Sequence, residues 1–244
     1  MGNNSPLRSG HTTGRHDEWI PEWESVYRTL WIMMTVNEVN GMLDGTSRRF
    51  LAAPLDSVAS HLDRSWITPN RITLAGLVLG VGGAVAAARA AWIVALVLWL
   101  ARCLADGLDG PLARRRRGAG DVTSEAGGFL DICSDFIVYG SFVVGVAIGY
   151  GGSLLPFLFV LLAYYANGAI FLAFSSIAER TGRQLDDGRS LSFLGGLAEG
   201  TETVLVHSLW CLVPAYAGGI AWAWAAVVGV SAVARLGQGY RALR

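Results

Sequence analysis

The chain has 244 residues, 52% of them hydrophobic and 16% charged, and its 19 basic residues balance its 19 acidic ones. Zero net charge gives no bulk electrostatic case for nucleic acid, so no nucleic-acid partner is expected. The apolar residues come in long runs rather than at the short periods of a water-soluble core, which points to an all-α membrane protein.

The first 18 residues are polar, so no cleavable secretory signal is expected and the first apolar helix is expected to direct insertion itself. Glu18–Met42 mixes Trp, Tyr and Met with acids. Trp19, Trp23, Tyr27 and Trp31 recur at helical intervals, which suits an interfacial helix or one packed on the protein itself. Ser47–Leu62 reads as a second amphipathic helix, with Phe50, Leu51, Leu55, Val58 and Leu62 on one side. The chain divides accordingly into a cytoplasmic N-terminal extension, 1–46, and a membrane domain, 47–244. Thr68, Pro69 and Asn70 then interrupt the chain and cap the next helix, because Pro disfavours helix before it and is tolerated at a helix start.

Spans of roughly 20 residues are expected at Arg71–Ala88, Ala91–Gly110, Ser124–Tyr150, Leu154–Ile177, Leu197–Ala215 and Gly219–Leu236, which makes six transmembrane helices. Every basic residue is Arg, and the arginines are asymmetric. They gather before the first span, at Arg114–Arg117 after the second, at Arg180, Arg183 and Arg189 after the fourth, and at Arg235, Arg241 and Arg244; the alternate loops hold only Arg89. The positive-inside rule then places both termini in the cytoplasm, together with the second and fourth loops. Cys103, Cys133 and Cys211 lie in apolar runs without metal spacing and read as small buried hydrophobes.

The chemistry-bearing stretch spans the second and third of these segments. Asp106 and Asp109 are three residues apart, Asp131 and Asp135 four apart, so on helices each pair shares a face. Gly110 and Ala113 extend the first face and Gly127 the second, and small residues there let two helices approach and leave room for a ligand. Carboxylates in a membrane segment are costly and mark function. A divalent cation offsets their charge, and oxygen-only ligation suits Mg²⁺ or Mn²⁺. Two such ions can clamp a diphosphate and assist displacement at phosphorus. Arg102, four residues before Asp106, is placed to offset its charge, and His207 reads as a hydrogen-bonded interior residue. Glu199 and Glu202 either help bind an acceptor or solvate a helix end.

At Asp106, Asp109, Gly110, Ala113, Arg114, Gly127, Asp131 and Asp135 the chain resembles the CDP-alcohol phosphatidyltransferase family, whose signature is Asp-x2-Asp-Gly-x2-Ala-Arg followed by Gly-x3-Asp-x3-Asp. Every fixed position matches. The intervening stretch, Arg115–Ala126, is four residues longer than the family's spacing, which enlarges the loop expected there. Asn70 and Thr73, with the Pro before them, are also similar to the family, and the resemblance covers about residues 47–240.

The resemblance implies a transferase of phospholipid biosynthesis in the bacterial inner membrane, with its active site on the cytoplasmic side and a homodimeric assembly. Asp106, Asp109, Asp131 and Asp135 would hold two Mg²⁺ or Mn²⁺ ions, and Asp135 would also take the proton of the attacking alcohol. Asn70, Thr73, Gly110 and Arg114, with Ser124 more remotely, would line the site for the CDP group. The expected donor is CDP-diacylglycerol or another CDP-linked compound, the acceptor a small polar alcohol, and the product besides CMP a membrane lipid. Two alternatives stay open on the sequence: a CDP-amino-alcohol phosphotransferase acting on diacylglycerol, and a membrane cation transporter using the acid cluster.

Overall fold

A computed structural model describes residues 67–118, 125–181 and 200–244, with the backbone alone for 109–111, 113–118 and 125. The expected amphipathic helices at Glu18–Met42 and Ser47–Leu62 lie outside the described residues, as do Ser124 and Glu199.

The described residues are helical without strands. They form α1 (Pro69–Ala88), α2 (Trp92–Gly118), α3 (Glu125–Tyr150), α4 (Leu155–Arg180), α5 (Gly200–Leu212), a 3₁₀ turn at Pro214–Tyr216, and α6 (Ala217–Leu243). Thr68 caps α1 in extended geometry, its hydroxyl accepting the Arg71 N–H at 3.3 Å, and Pro69 fills the first turn where an N–H would be unsatisfied anyway. Between α1 and α2 the chain turns within three residues, with Ala90 in the left-handed region at φ 55° and the Ala91 N–H bonded back to the Ala86 carbonyl at 2.9 Å.

The expectation of six spans needs correcting. Four of these helices are long and apolar enough to cross a membrane: Pro69–Ala88, Ala126–Tyr150, Leu155–Arg180 and, with its 3₁₀ lead-in, Pro214–Leu243. α2 falls short of that apolarity because Arg102, Asp106, Asp109 and Arg114–Arg117 ride on one continuous helix with the apolar run. α5 is described only from Gly200, so its 13 described residues cover part of the expected span Leu197–Ala215. The loop after the second segment also begins later than expected. Arg114–Arg117 are helical, since Ala and Arg both propagate a helix well. Of the expected loop Arg115–Ala126, residues 115–118 continue α2 and residues 125–126 begin α3, while 119–124 lie outside the described residues.

α1 packs along both α2 and α3, α4 pairs with α6, and α5 leans on α2. The α1–α3 contact is backbone against backbone: a Cβ on Gly145 would overlap the Ala84 carbonyl, and one on Gly149 the Ala87 carbonyl. The core between the helices is aromatic. His207 is fully buried among Trp99, Phe142 and Trp210, with ring centroids 4.5, 5.2 and 4.9 Å away. Outward faces carry Val78, Ile93, Val97, Ile148, Leu158 and Val233 exposed, as a lipid-facing surface would.

Candidate active site

Three helices bring the site together. α2 supplies Arg102 and Asp106, α3 supplies Asp131, Ser134 and Asp135, and the first turns of α1 supply Thr73 and Gly76. Carboxylate oxygens of Asp106, Asp131 and Asp135 lie within 4.8 Å of one another, each side chain half-buried. The four-residue step from Asp131 to Asp135 stacks both on one face of α3, and the close α1–α3 packing fixes that face beside α2. A small pocket beside the cluster is lined by Thr73, Gly76, Leu77, Arg102, Asp106 and Ser134. The two hydroxyls are tied to their own helices, Thr73 donating to the Pro69 carbonyl at 3.2 Å and Ser134 to the Leu130 carbonyl at 2.7 Å.

Among the described side chains, one cation sits inside the cluster. Arg102 is 3% exposed, and its Nη2 donates to Asp106 Oδ1 at 3.2 Å and to Asp135 Oδ1. Its guanidinium carbon lies 5.1 Å from the centroid of Tyr139 and 5.9 Å from that of Trp99. In their ionised forms the three carboxylates outnumber this guanidinium, leaving an excess of negative charge that a divalent cation would offset. The donor set is all oxygen and half-open to solvent, which fits a hard divalent ion that retains water ligands.

Of the residues singled out from the sequence, the structure brings together Asp106, Asp131, Asp135 and Thr73. Asn70 lies exposed in the first turn of α1, three residues before Thr73. Asp109, Gly110 and Arg114 continue α2 beyond Asp106, with only their backbone described. Arg102 pairs with Asp106 as expected. His207 is hydrogen-bonded as expected, its Nε2 lying 3.0 Å from the Tyr164 hydroxyl, which also accepts the Trp224 indole N–H at 2.7 Å. Asn167 on α4 accepts a bond from Arg235 on α6 at 3.2 Å. The bond from Arg102 to Asp135 and the two rings beneath it went unread. The signal was there: Tyr139 follows Asp135 by four residues and Trp99 precedes Arg102 by three, each on the same helical face.

The profile of the CDP-alcohol phosphatidyltransferase family matches residues 66–233. Inner membrane protein YnjF of Escherichia coli K12 is 38% identical over 194 residues, which span 75% of this chain and 88% of that protein. A bifunctional IPC transferase and DIPP synthase of Thermococcus kodakarensis is 31% identical over 115 residues, covering 47% of this chain and 26% of the relative. Among solved structures, phosphatidylinositol phosphate synthase of Mycobacterium tuberculosis with CDP-DAG bound superposes with a TM-score of 0.60 at 20% identity, covering 76% of this chain and 93% of that one. The same synthase in complex with manganese and citrate also gives a TM-score of 0.60 at 20% identity, covering 76% of this chain and 88% of the other. With a family profile over most of its helical part and a carboxylate cluster built from the signature positions, the chain belongs to the CDP-alcohol phosphatidyltransferase family.

Proposed function

We propose that the protein transfers a phosphatidyl group from CDP-diacylglycerol to a small polar alcohol and releases CMP. The observation that carries this reading is the convergence of Asp106, Asp131 and Asp135, from two helices, to within 4.8 Å. The solved relative with CDP-DAG bound shares the fold and supports the choice of donor.

Asp106, Asp109, Asp131 and Asp135 would hold two divalent ions, Mg²⁺ or Mn²⁺. Such ions, when bound, neutralise diphosphate charge and make CMP a better leaving group. The protein's own residues supply the rest. The alcohol oxygen attacks the phosphorus attached to diacylglycerol, the bond to CMP breaks, and the hydroxyl proton passes to Asp135. An alcohol is far too weak an acid to ionise alone at neutral pH, so a carboxylate within hydrogen-bond reach is needed. Asp135 suits that task because its side chain is one-third exposed, at 33%, and so open to an incoming hydroxyl. Thr73 borders the pocket, and Asn70, Gly110, Arg114 and Ser124 are proposed to receive the nucleotide. The arginine-rich ends of the helices, and with them the site and both termini, face the cytoplasm. A lipid tail can then stay in the bilayer while CMP leaves to water.

The test is direct. Purified protein with CDP-diacylglycerol, a panel of polar alcohols and Mg²⁺ or Mn²⁺ should release CMP, with the new lipid identified by mass spectrometry. Release that requires diacylglycerol and a CDP-linked amino alcohol would reverse donor and acceptor. Metal uptake without any CMP release from either pair would remove the transferase reading. A reporter active only outside the cytoplasm, fused after Arg244, should stay silent; strong activity would overturn the orientation.

A further inference from the structure

The position of Arg102 goes beyond anything the family signature assigns. A guanidinium 3% exposed, on a helix bearing the first acids of the signature, is costly to bury unless it is paired. Here a single nitrogen, Nη2, bridges Oδ1 of Asp106 and Oδ1 of Asp135, one acid from each half of the signature. The other side of the group is held by aromatic faces, Tyr139 at 5.1 Å and Trp99 at 5.9 Å. Those rings are fixed in turn. The Trp99 N–H donates to the Val204 carbonyl at 3.4 Å, and both rings pack against His207, whose Nε2 meets Tyr164. A column of buried groups thus runs from Tyr164 on α4 through His207 on α5 to the guanidinium and holds it against the acids.

We infer that Arg102 is a built-in placeholder cation: it holds Asp106 and Asp135 together in the metal-free protein and competes with divalent ions for the same carboxylates. It is a positioning residue, acting on substrate only through the acids. The inference rests on the proposed metal-binding role of the cluster. Its consequence runs against that of an ordinary structural arginine. Loss of a supporting residue would loosen the site and weaken ion binding, whereas loss of a competitor strengthens it. A unit positive charge ~4 Å from a bound cation opposes it by enough to lower affinity on the order of 10³-fold at an effective dielectric of ~20.

The experiment measures Mn²⁺ binding to the detergent-solubilised full chain by the loss of the free-ion electron paramagnetic resonance signal, with melting temperature followed with and without chelator. Arg102→Gln should bind Mn²⁺ more tightly than wild type by at least ~10-fold and up to ~10³-fold. Its melting temperature should also fall further when the ion is removed. Arg102→Lys, which keeps the charge but loses the planar group stacked on two rings, should shift in the same direction by a smaller factor and serves as the readout if the Gln variant does not fold. Unchanged or weaker Mn²⁺ binding in the variants, with wild type binding normally, overturns the placeholder role alone. Failure of wild type to take up Mn²⁺ overturns the metal reading and this inference together.

Discussion

The two halves of the helical domain are packed by different rules. On one side α1, α2 and α3 meet so closely that Gly145 and Gly149 lie directly against the carbonyls of Ala84 and Ala87. On the other, α4 and α6 pair along their length yet leave an apolar groove of about 480 Å³ lined by residues such as Phe159, Leu162, Ile170, Trp222, Val233 and Leu236. The closely packed half carries every described acid of the cluster; the looser half carries none. Carboxylates held within 4.8 Å on two separate helices need those helices fixed to a fraction of an ångström, and a backbone contact without intervening side chains does that best. A groove wall has no such duty.

That contrast predicts unequal tolerance. Gly145→Leu should force α1 and α3 apart, costing ~3 kcal/mol or more and disabling the site, since nothing flexible can yield where a side chain meets backbone. Ala226→Leu, which adds a side chain of the same size at the groove wall, should stay within roughly 0.5 kcal/mol of wild type. Melting in detergent under identical conditions compares the two. Equal losses would dissolve the distinction between the halves.

An intermediate effect is expected where the halves are joined. The Tyr164 hydroxyl accepts from the Trp224 indole and meets His207 Nε2, linking α4, α5 and α6. Tyr164→Phe strands both nitrogens in a buried site and should cost about 1–3 kcal/mol in the same melting assay. A neutral result would mean that aromatic packing, not the hydrogen bonds, joins these helices. The smallest effect belongs to the turn before α2. Ala90 sits at φ 55°, where a Cβ is disfavoured, so Ala90→Gly should raise stability by up to ~1 kcal/mol. A loss there would show that the turn carries little strain.

Much of this was legible in the sequence because it rests on short-range geometry. Spacings of three and four within α2 and α3 set the shared faces of the acids, and Thr68 with Pro69 marked the start of α1. Arg102 beside Asp106 was readable as an i, i+4 pair. The bond from Arg102 to Asp135 was not, because it crosses 33 residues and depends on how α2 meets α3. The end of α2 was misjudged for a different reason. A basic run signals the membrane boundary, but charge does not end a helix, and Arg114–Arg117 stay helical. The count of spans suffered likewise: polar chemistry on α2 keeps it below the apolarity of a plain membrane helix, and α5 is described only from Gly200.

The central claim, that the acid cluster is a catalytic centre in which Asp135 takes the proton, is tested most directly by one comparison. CMP release and Mn²⁺ binding are measured across a metal titration for Asp135→Asn and Asp106→Asn. Asn keeps the size and one ligating oxygen but removes basicity. Asp135→Asn should therefore bind ion and donor yet turn over ~10²–10⁴ more slowly even at saturating metal, the usual worth of a general base. Asp106→Asn should recover more as metal is raised. Turnover by Asp135→Asn near the wild-type rate at saturating metal would contradict the assignment.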